Sequence, residues 1–170
     1  MAAPSHYYYP EEIANWWRNL WRTDLKAELG LKDIKTGSLV DFPAPKDLTT
    51  AAPSVFVSPA MFASKLTTVN GAVYTVDYTI RVVYLGRIPE DGATTIESER
   101  AKIRRFADSI VSNYRMDAAP ALALANFQNY FATPSMVPLR PEEDKLVAQV
   151  NAQIVAAALE LVVTGLITVG

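Results

Sequence analysis

A strict two-residue alternation over residues 72–85 constrains the fold more than any other feature of the chain. Successive side chains of a β-strand point to opposite faces, so this period predicts one long strand. The dipeptide Asn70-Gly71 directly before it favours a type I′ hairpin. We therefore expect a partner strand over about 61–69. The even-numbered positions of this stretch are all β-branched or aromatic from residue 74 on: Tyr74, Val76, Tyr78, Ile80, Val82 and Tyr84.

The odd-numbered positions of this strand are mixed in character, because Asp77, Thr79 and Arg81 interrupt the apolar residues there. An exposed strand face tolerates such charges, whereas a buried face does not. The alternation therefore predicts a hairpin with one apolar face and one face open to solvent or to a partner.

Two further stretches have the 3.6-residue period of amphipathic helices. The first begins at Pro10 and Glu11 and ends near Gly30, which suits a C-cap. The second spans 97–114. Their apolar stripes are Ile13, Trp17, Trp21, Leu25 and Leu29 in the first helix, and Ile103, Phe106, Ile110 and Tyr114 in the second.

The rest of the chain contains proline-rich stretches and one very apolar end. We expect long loops at about 36–53 and 115–145, with a short extended piece at 38–42 and a short strand around 126–132. Residues 142–153 have the composition to start a helix. Residues 154–169 are apolar on both parities, which predicts a strand covered on both faces.

Together these patterns predict a single α+β domain over residues 11–170, preceded by a flexible aromatic arm at 1–10. The sheet is expected to be antiparallel or mixed, to contain the long hairpin, and to be packed by two main helices.

The composition excludes several kinds of chemistry. The 170 residues include no Cys and one His, His6, so thiolate nucleophiles and His-cluster metal centres are excluded. Paired acids such as Glu11-Glu12 lie at expected helix starts, where the macrodipole accounts for them. We predict no catalytic residues, no metal site and no cofactor, and hence a protein that is not an enzyme.

The charge and hydropathy also limit partners and location. Lys and Arg number 16 against 18 Asp and Glu, a net charge of −2 that is unlike a dedicated nucleic-acid binder. The apolar stretch 154–169 is shorter than the ~20 residues of a membrane span and contains Glu160. The N-terminus lacks a signal-peptide pattern. We therefore expect a soluble, cytoplasmic product with no membrane partner.

The basic run Arg100, Lys102, Arg104 and Arg105 is the strongest electrostatic feature. One interpretation is a solvated helix face, neutralised by Glu97–Arg100 and Arg104–Asp108 pairs. The alternative is a surface that faces a partner subunit or passing DNA.

Aromatic residues suggest contacts between subunits. Trp17 and Trp21 belong to the apolar stripe of the first helix, whereas Trp16 lies at its boundary. The arm residues Tyr7, Tyr8 and Tyr9 have no expected place in the core, and exposed Tyr suits docking onto a neighbour. We predict that Tyr7, Tyr8, Tyr9 and Trp16 contact other subunits.

The organisation of the chain resembles that of tail terminator, or tail completion, proteins of long-tailed bacteriophages, of the lambda minor-tail-protein-U kind. The stretches that carry the resemblance run in order through the chain and cover most of residues 11–169. They are WWRNLWRTDLKAELGL, PSVFVSP, AVYTVDYTIRVVYLGRI, ESERAKIRRFADSIVSNY and IVAAALELVVTGLI.

The resemblance implies a virion protein that assembles in the host cytoplasm as a ring, usually a homohexamer. Such a ring ends the tail tube, stops its growth and offers its other face to the head connector, while DNA passes through its lumen. The residues predicted to face a lumen or a partner are Asp77, Arg81, Arg100, Lys102, Arg104 and Arg105.

Two alternatives remain open from the sequence. The first is a head–tail adaptor or another neck protein of the same virion. The second is a small-ligand or peptide binding module, whose pocket would be lined by Tyr74, Tyr78 and Phe106.

Overall fold

The structure is a computed structural model that describes residues 10–41, 51–70, 73–88, 96–113, 127–149 and 154–168. Three α-helices and a five-stranded mixed sheet form an α+β arrangement, as predicted. The elements in chain order are α1 (Pro10–Asp24), β1 (Asp33–Thr36), a 3₁₀ helix (Leu39–Asp41), β2 (Ser54–Asn70), β3 (Val73–Arg87), α2 (Ile96–Asn113), β4 (Phe127–Val137), α3 (Pro141–Gln149) and β5 (Ile154–Thr168).

The strands lie in the order β1-β2-β3-β5-β4. β1 runs parallel to β2, and every other neighbouring pair is antiparallel. Asn70 pairs with Val73, which confirms the predicted hairpin, although β2 begins at Ser54, before the expected residue 61. The strand predicted at 154–169 is β5, which lies between β3 and β4.

Two apolar layers cover the sheet, one on each side. Face one is the side covered by α1 and α2, and its core includes Val76, Tyr78, Ile80 and Val82 of β3. Face two is the opposite side, where Phe56, Val83, Leu85 and Ala158 pack with Leu39 of the 3₁₀ helix. The alternation along β3 divides its residues between the two faces, as the two-residue period requires.

The stripe predicted for the first helix fixes α1 on face one. Ile13, Trp17 and Trp21 are fully buried, and Trp21 meets Phe106 of α2 edge to face at 4.9 Å between ring centroids. The α-helix ends at Asp24, six residues before Gly30, and turns continue the chain. Gly30 has φ +64°, the left-handed conformation expected of a glycine after a helix.

Two predicted loops need correction. A 3₁₀ helix stands where an extended piece at 38–42 was expected, and the strand β1 precedes it. Within the predicted loop at 115–145, the short strand expected around 126–132 is the longer β4, and α3 begins at Pro141, next to the helix start expected at residue 142. Pro134 is tolerated because β4 lies at the edge of the sheet, and Pro141 occupies the first position of α3, where no N–H donor is required.

Candidate functional site

Arg81 lies at the centre of a buried polar network on face two. Its residue exposure is 3%, so the prediction that it faces a lumen or a partner is wrong for the folded chain. Its guanidinium donates to both carboxylate oxygens of Glu143, through Nη2 and, at 3.3 Å, through Nε. Nη2 also donates to the carbonyl of Pro138 at 3.2 Å, and Nη1 lies 3.6 Å from Oε1 of Glu160.

Three elements bring this network together. Arg81 lies on β3 directly opposite Glu160 of β5 in the strand register. Glu143 lies in the first turn of α3, where Oε1 also accepts the backbone N–H of Arg140 at 2.8 Å. That bond is the backward half of a capping box, so one carboxylate both starts α3 and pairs with the sheet.

Burial makes this ion pair decisive for the position of α3. Glu143 is 1% exposed, so neither charge of the Arg81–Glu143 pair is solvated. Removing one partner of such a pair costs about 3–5 kcal/mol, because the other charge stays buried and unpaired. The network therefore fixes the first turn of α3 against the middle of β3.

A second buried acid lies on face one, between β3 and α2. The Tyr84 hydroxyl donates to Oε2 of Glu99 at 2.5 Å, and Nζ of Lys102 donates to Oε1 at 2.7 Å. Burial, together with the hydrogen bond to Glu99 and its negative charge, raises the pKa of Tyr84 well above its usual range. This cluster holds the first turn of α2 on the sheet.

The basic run on α2 is partly neutralised. Glu97 accepts from Nη2 of Arg104 at 2.7 Å, and this bond, followed by the charges of Arg104 and Arg100, lowers the pKa of Glu97. The predicted Glu97–Arg100 and Arg104–Asp108 ion pairs do not form within the described residues. Arg100 and Arg105 are exposed, and no ion pair holds either of them within the described ranges.

The other predicted contact residues lie in different settings. Asp77 is half-buried and accepts a hydrogen bond from Oγ1 of Thr164, its register partner, at 2.7 Å. Trp16 is partly buried and packs edge to face on Trp17, with ring centroids 4.9 Å apart. Tyr7, Tyr8 and Tyr9 lie outside the described residues.

The residues expected to line a ligand pocket lie mainly in the core. Tyr78 and Phe106 are fully buried on face one, and Tyr74 is partly buried. A groove lies instead on the other side of the sheet, between the 3₁₀ helix and α3, with cavity volumes of about 260 and 230 Å³ in its two adjoining parts. We call it the α3 groove; it is lined by Val40, Glu142, Lys145, Leu146 and Gln149 in its larger part.

Within the described part of the chain, no three His, Cys, Asp or Glu side chains converge to hold a metal ion. The described helices include none with the length and hydropathy of a membrane span. No protein-family model matches the chain, and no curated protein matches it.

Sequence reasoning missed both buried acids. The helix macrodipole accounts for acids at helix starts, and Glu99 and Glu143 do both lie in first turns. Their carboxylates nevertheless point at the sheet, toward Tyr84 and Arg81. Arg81 was the available signal for a buried acid. It is a charged residue inside the strongest strand pattern, and an arginine buried there requires an acid as its partner.

Proposed function

We propose that this chain is a virion structural protein of the tail-terminator kind. Copies of it would form a ring, a homohexamer by the resemblance stated above, at the head-proximal end of the tail tube. The ring stops tube growth and joins the tail to the connector or other neck proteins. Its partners are then other copies of itself, the tail-tube protein and the neck proteins, with DNA only as passing cargo.

The observation that carries this proposal is the pair of open sheet edges. Within the described residues, β1 and β4 each pair with one strand, so the sheet has an unpaired edge at both ends. β4 is 11 residues long, and a long unpaired edge is a template for pairing with another chain. Head-to-tail contacts between unlike edges generate a ring when the rotation closes.

The element order also supports the proposal. A helix, a long hairpin, a second helix and a late apolar strand follow one another, in the order on which the resemblance rests. The role in a virion depends on that resemblance, whereas self-association depends on the edges.

Sedimentation velocity and negative-stain imaging test the self-association. We expect the wild type to form rings of about six copies. Met136 is 51% exposed on β4, so Met136→Lys leaves the core intact while placing a charge at the open edge, and it should shift the protein to monomers. Ala27→Lys, at an exposed position after α1, is the control and should still form rings.

A wild type that stays monomeric at every concentration, even with tail-tube protein present, contradicts the proposal. The terminator and adaptor roles separate in cells that assemble tails without this protein. Overgrown tubes indicate a terminator, whereas tubes of normal length that fail to attach to heads indicate an adaptor.

A further inference from the structure

The third helix is attached to the sheet in an unusual way. Glu143 is the only side chain of α3 that is fully buried; Leu146 and Val147 are partly buried. A helix normally docks through a continuous apolar stripe, as α1 does with Ile13, Trp17 and Trp21. α3 is instead held mainly by an ion pair.

The attachments of α3 concentrate at its N-terminal end. Arg81 reaches Glu143 and the Pro138 carbonyl, and the Arg140 N–H reaches Glu143. Toward the C-terminal half, Leu146 and Gln149 line the α3 groove, which has a volume of about 260 Å³. The groove also borders the N-terminal end of the helix, where Arg140 and Glu142 line its smaller part, so open space runs along the length of α3.

The two kinds of attachment respond differently to opening. A helix docked by apolar side chains loses their burial when it leaves the sheet. A buried ion pair regains the hydration of both charges on separation, and this offsets most of the attraction that is lost. Separating α3 from the sheet therefore costs less free energy than separating α1 from it.

We propose that α3 is a lid on face two that opens as a unit while the sheet and face one stay folded, with the Arg81–Glu143 pair as its latch. In the closed lid, Leu146 and Val147 pack against the apolar cluster of face two that includes Phe56, Val83 and Leu85, and opening exposes part of that cluster. The device goes beyond the proposed function and does not depend on it.

Neighbouring valines on β3 provide a matched test. Val82 is buried on face one and Val83 on face two, at 0% and 3% exposure, and the chain contains no Cys that could give a background signal. Val82→Cys and Val83→Cys are labelled with a thiol reagent under native conditions. We expect Val83→Cys to react at least ~10-fold faster, because local opening precedes global unfolding.

The latch is tested by adding Glu143→Gln to each cysteine variant. The substitution destabilises the closed state relative to both the lid-open and the unfolded states. It should therefore accelerate labelling of both variants by a similar factor of ~10-fold or more, and Val83→Cys should remain the faster of the two. Glu142→Gln, one residue away and exposed on the same helix, is the control and should change neither rate.

Hydrogen exchange of the unsubstituted protein gives a second measurement that requires no variant. Peptides covering 141–149 should exchange before those covering β3 and β5, with a weak dependence on denaturant. The proposal is overturned if the two cysteines react at equal rates, if Glu143→Gln accelerates Val82→Cys but not Val83→Cys, or if 141–149 exchanges only together with the central strands.

Discussion

The hydroxyl of Tyr84 lies 2.5 Å from Oε2 of Glu99, and this hydrogen bond joins β3 to the first turn of α2. Glu99 is buried, so its charge depends on Tyr84 and on Nζ of Lys102 for its stabilisation. The contact links residues only 15 apart in sequence across the segment that connects β3 to α2.

We predict that Tyr84→Phe lowers the free energy of unfolding by about 1–3 kcal/mol, because it leaves Oε2 of Glu99 buried without its hydroxyl donor. The ring itself still fits its site in the core. Urea unfolding at neutral pH measures the change. Arg104→Gln, which breaks the exposed pair with Glu97, is the comparison and should cost much less, because solvent screens that pair. Equal losses for both variants contradict the role given to the buried bond.

The same pair predicts a loss of stability in alkali. Burial and Glu99 raise the pKa of Tyr84, so the folded chain keeps a proton that the unfolded chain releases near its ordinary pKa of about 10. This stabilisation is fully present below about pH 10 and declines as the pH rises further. The difference in unfolding free energy between wild type and Tyr84→Phe should therefore shrink above about pH 10. A difference independent of pH would exclude this linkage.

Gly86 is predicted to be intolerant of a side chain. A Cβ there would lie 2.6 Å from Oε2 of Glu99 and 2.9 Å from Cε1 of Tyr84. Gly86→Ala should therefore cost about 1–3 kcal/mol, measured by urea unfolding. In Glu99→Ala the obstructing oxygen is absent, so the alanine at 86 should cost less in that background. Strict additivity of the two substitutions would show that the oxygen is not the obstacle.

The sequence predicted the elements whose patterns are local. The hairpin follows from the alternation over 72–85, α1 from its stripe and β5 from its two apolar parities. β4 was predicted too short, as a strand around 126–132, because prolines mask the rest of an edge strand, where no N–H on the outer side is required.

The candidate site could not be predicted from local patterns. Arg81 and Glu143 are 62 residues apart, and nothing in either neighbourhood shows that α3 brings them together. In the alternation along β3, a charge indicates a solvent-facing position, and only the tertiary position of α3 reverses that interpretation.

An exposed pair at the end of α1 gives a prediction for acidic pH. Burial works to raise the pKa of Asp33, but the hydrogen bonds from Arg22 and the Ile34 N–H, with nearby positive charge, outweigh it and lower the pKa. The stabilisation is present above the unfolded pKa of about 4 and is lost as the pH falls through the folded value. Arg22→Gln should thus cost up to about 1 kcal/mol at pH 7 in urea unfolding, and progressively less as the pH falls below about 4. A cost that does not decrease with falling pH would have another origin.

The basic residues of α2 should separate into two classes. Arg100 and Arg105 are exposed, so replacing both with Gln should change stability by no more than about 0.5 kcal/mol. If this face meets a partner subunit, the double variant should nevertheless sediment as smaller assemblies than the wild type. Lys102→Gln should instead leave assembly unchanged and lower the free energy of unfolding by about 1–3 kcal/mol, because Nζ of Lys102 is the charged partner of buried Glu99. Unchanged assembly in Arg100→Gln/Arg105→Gln would assign this face to solvent and leave the open strand edges as the contacts between copies.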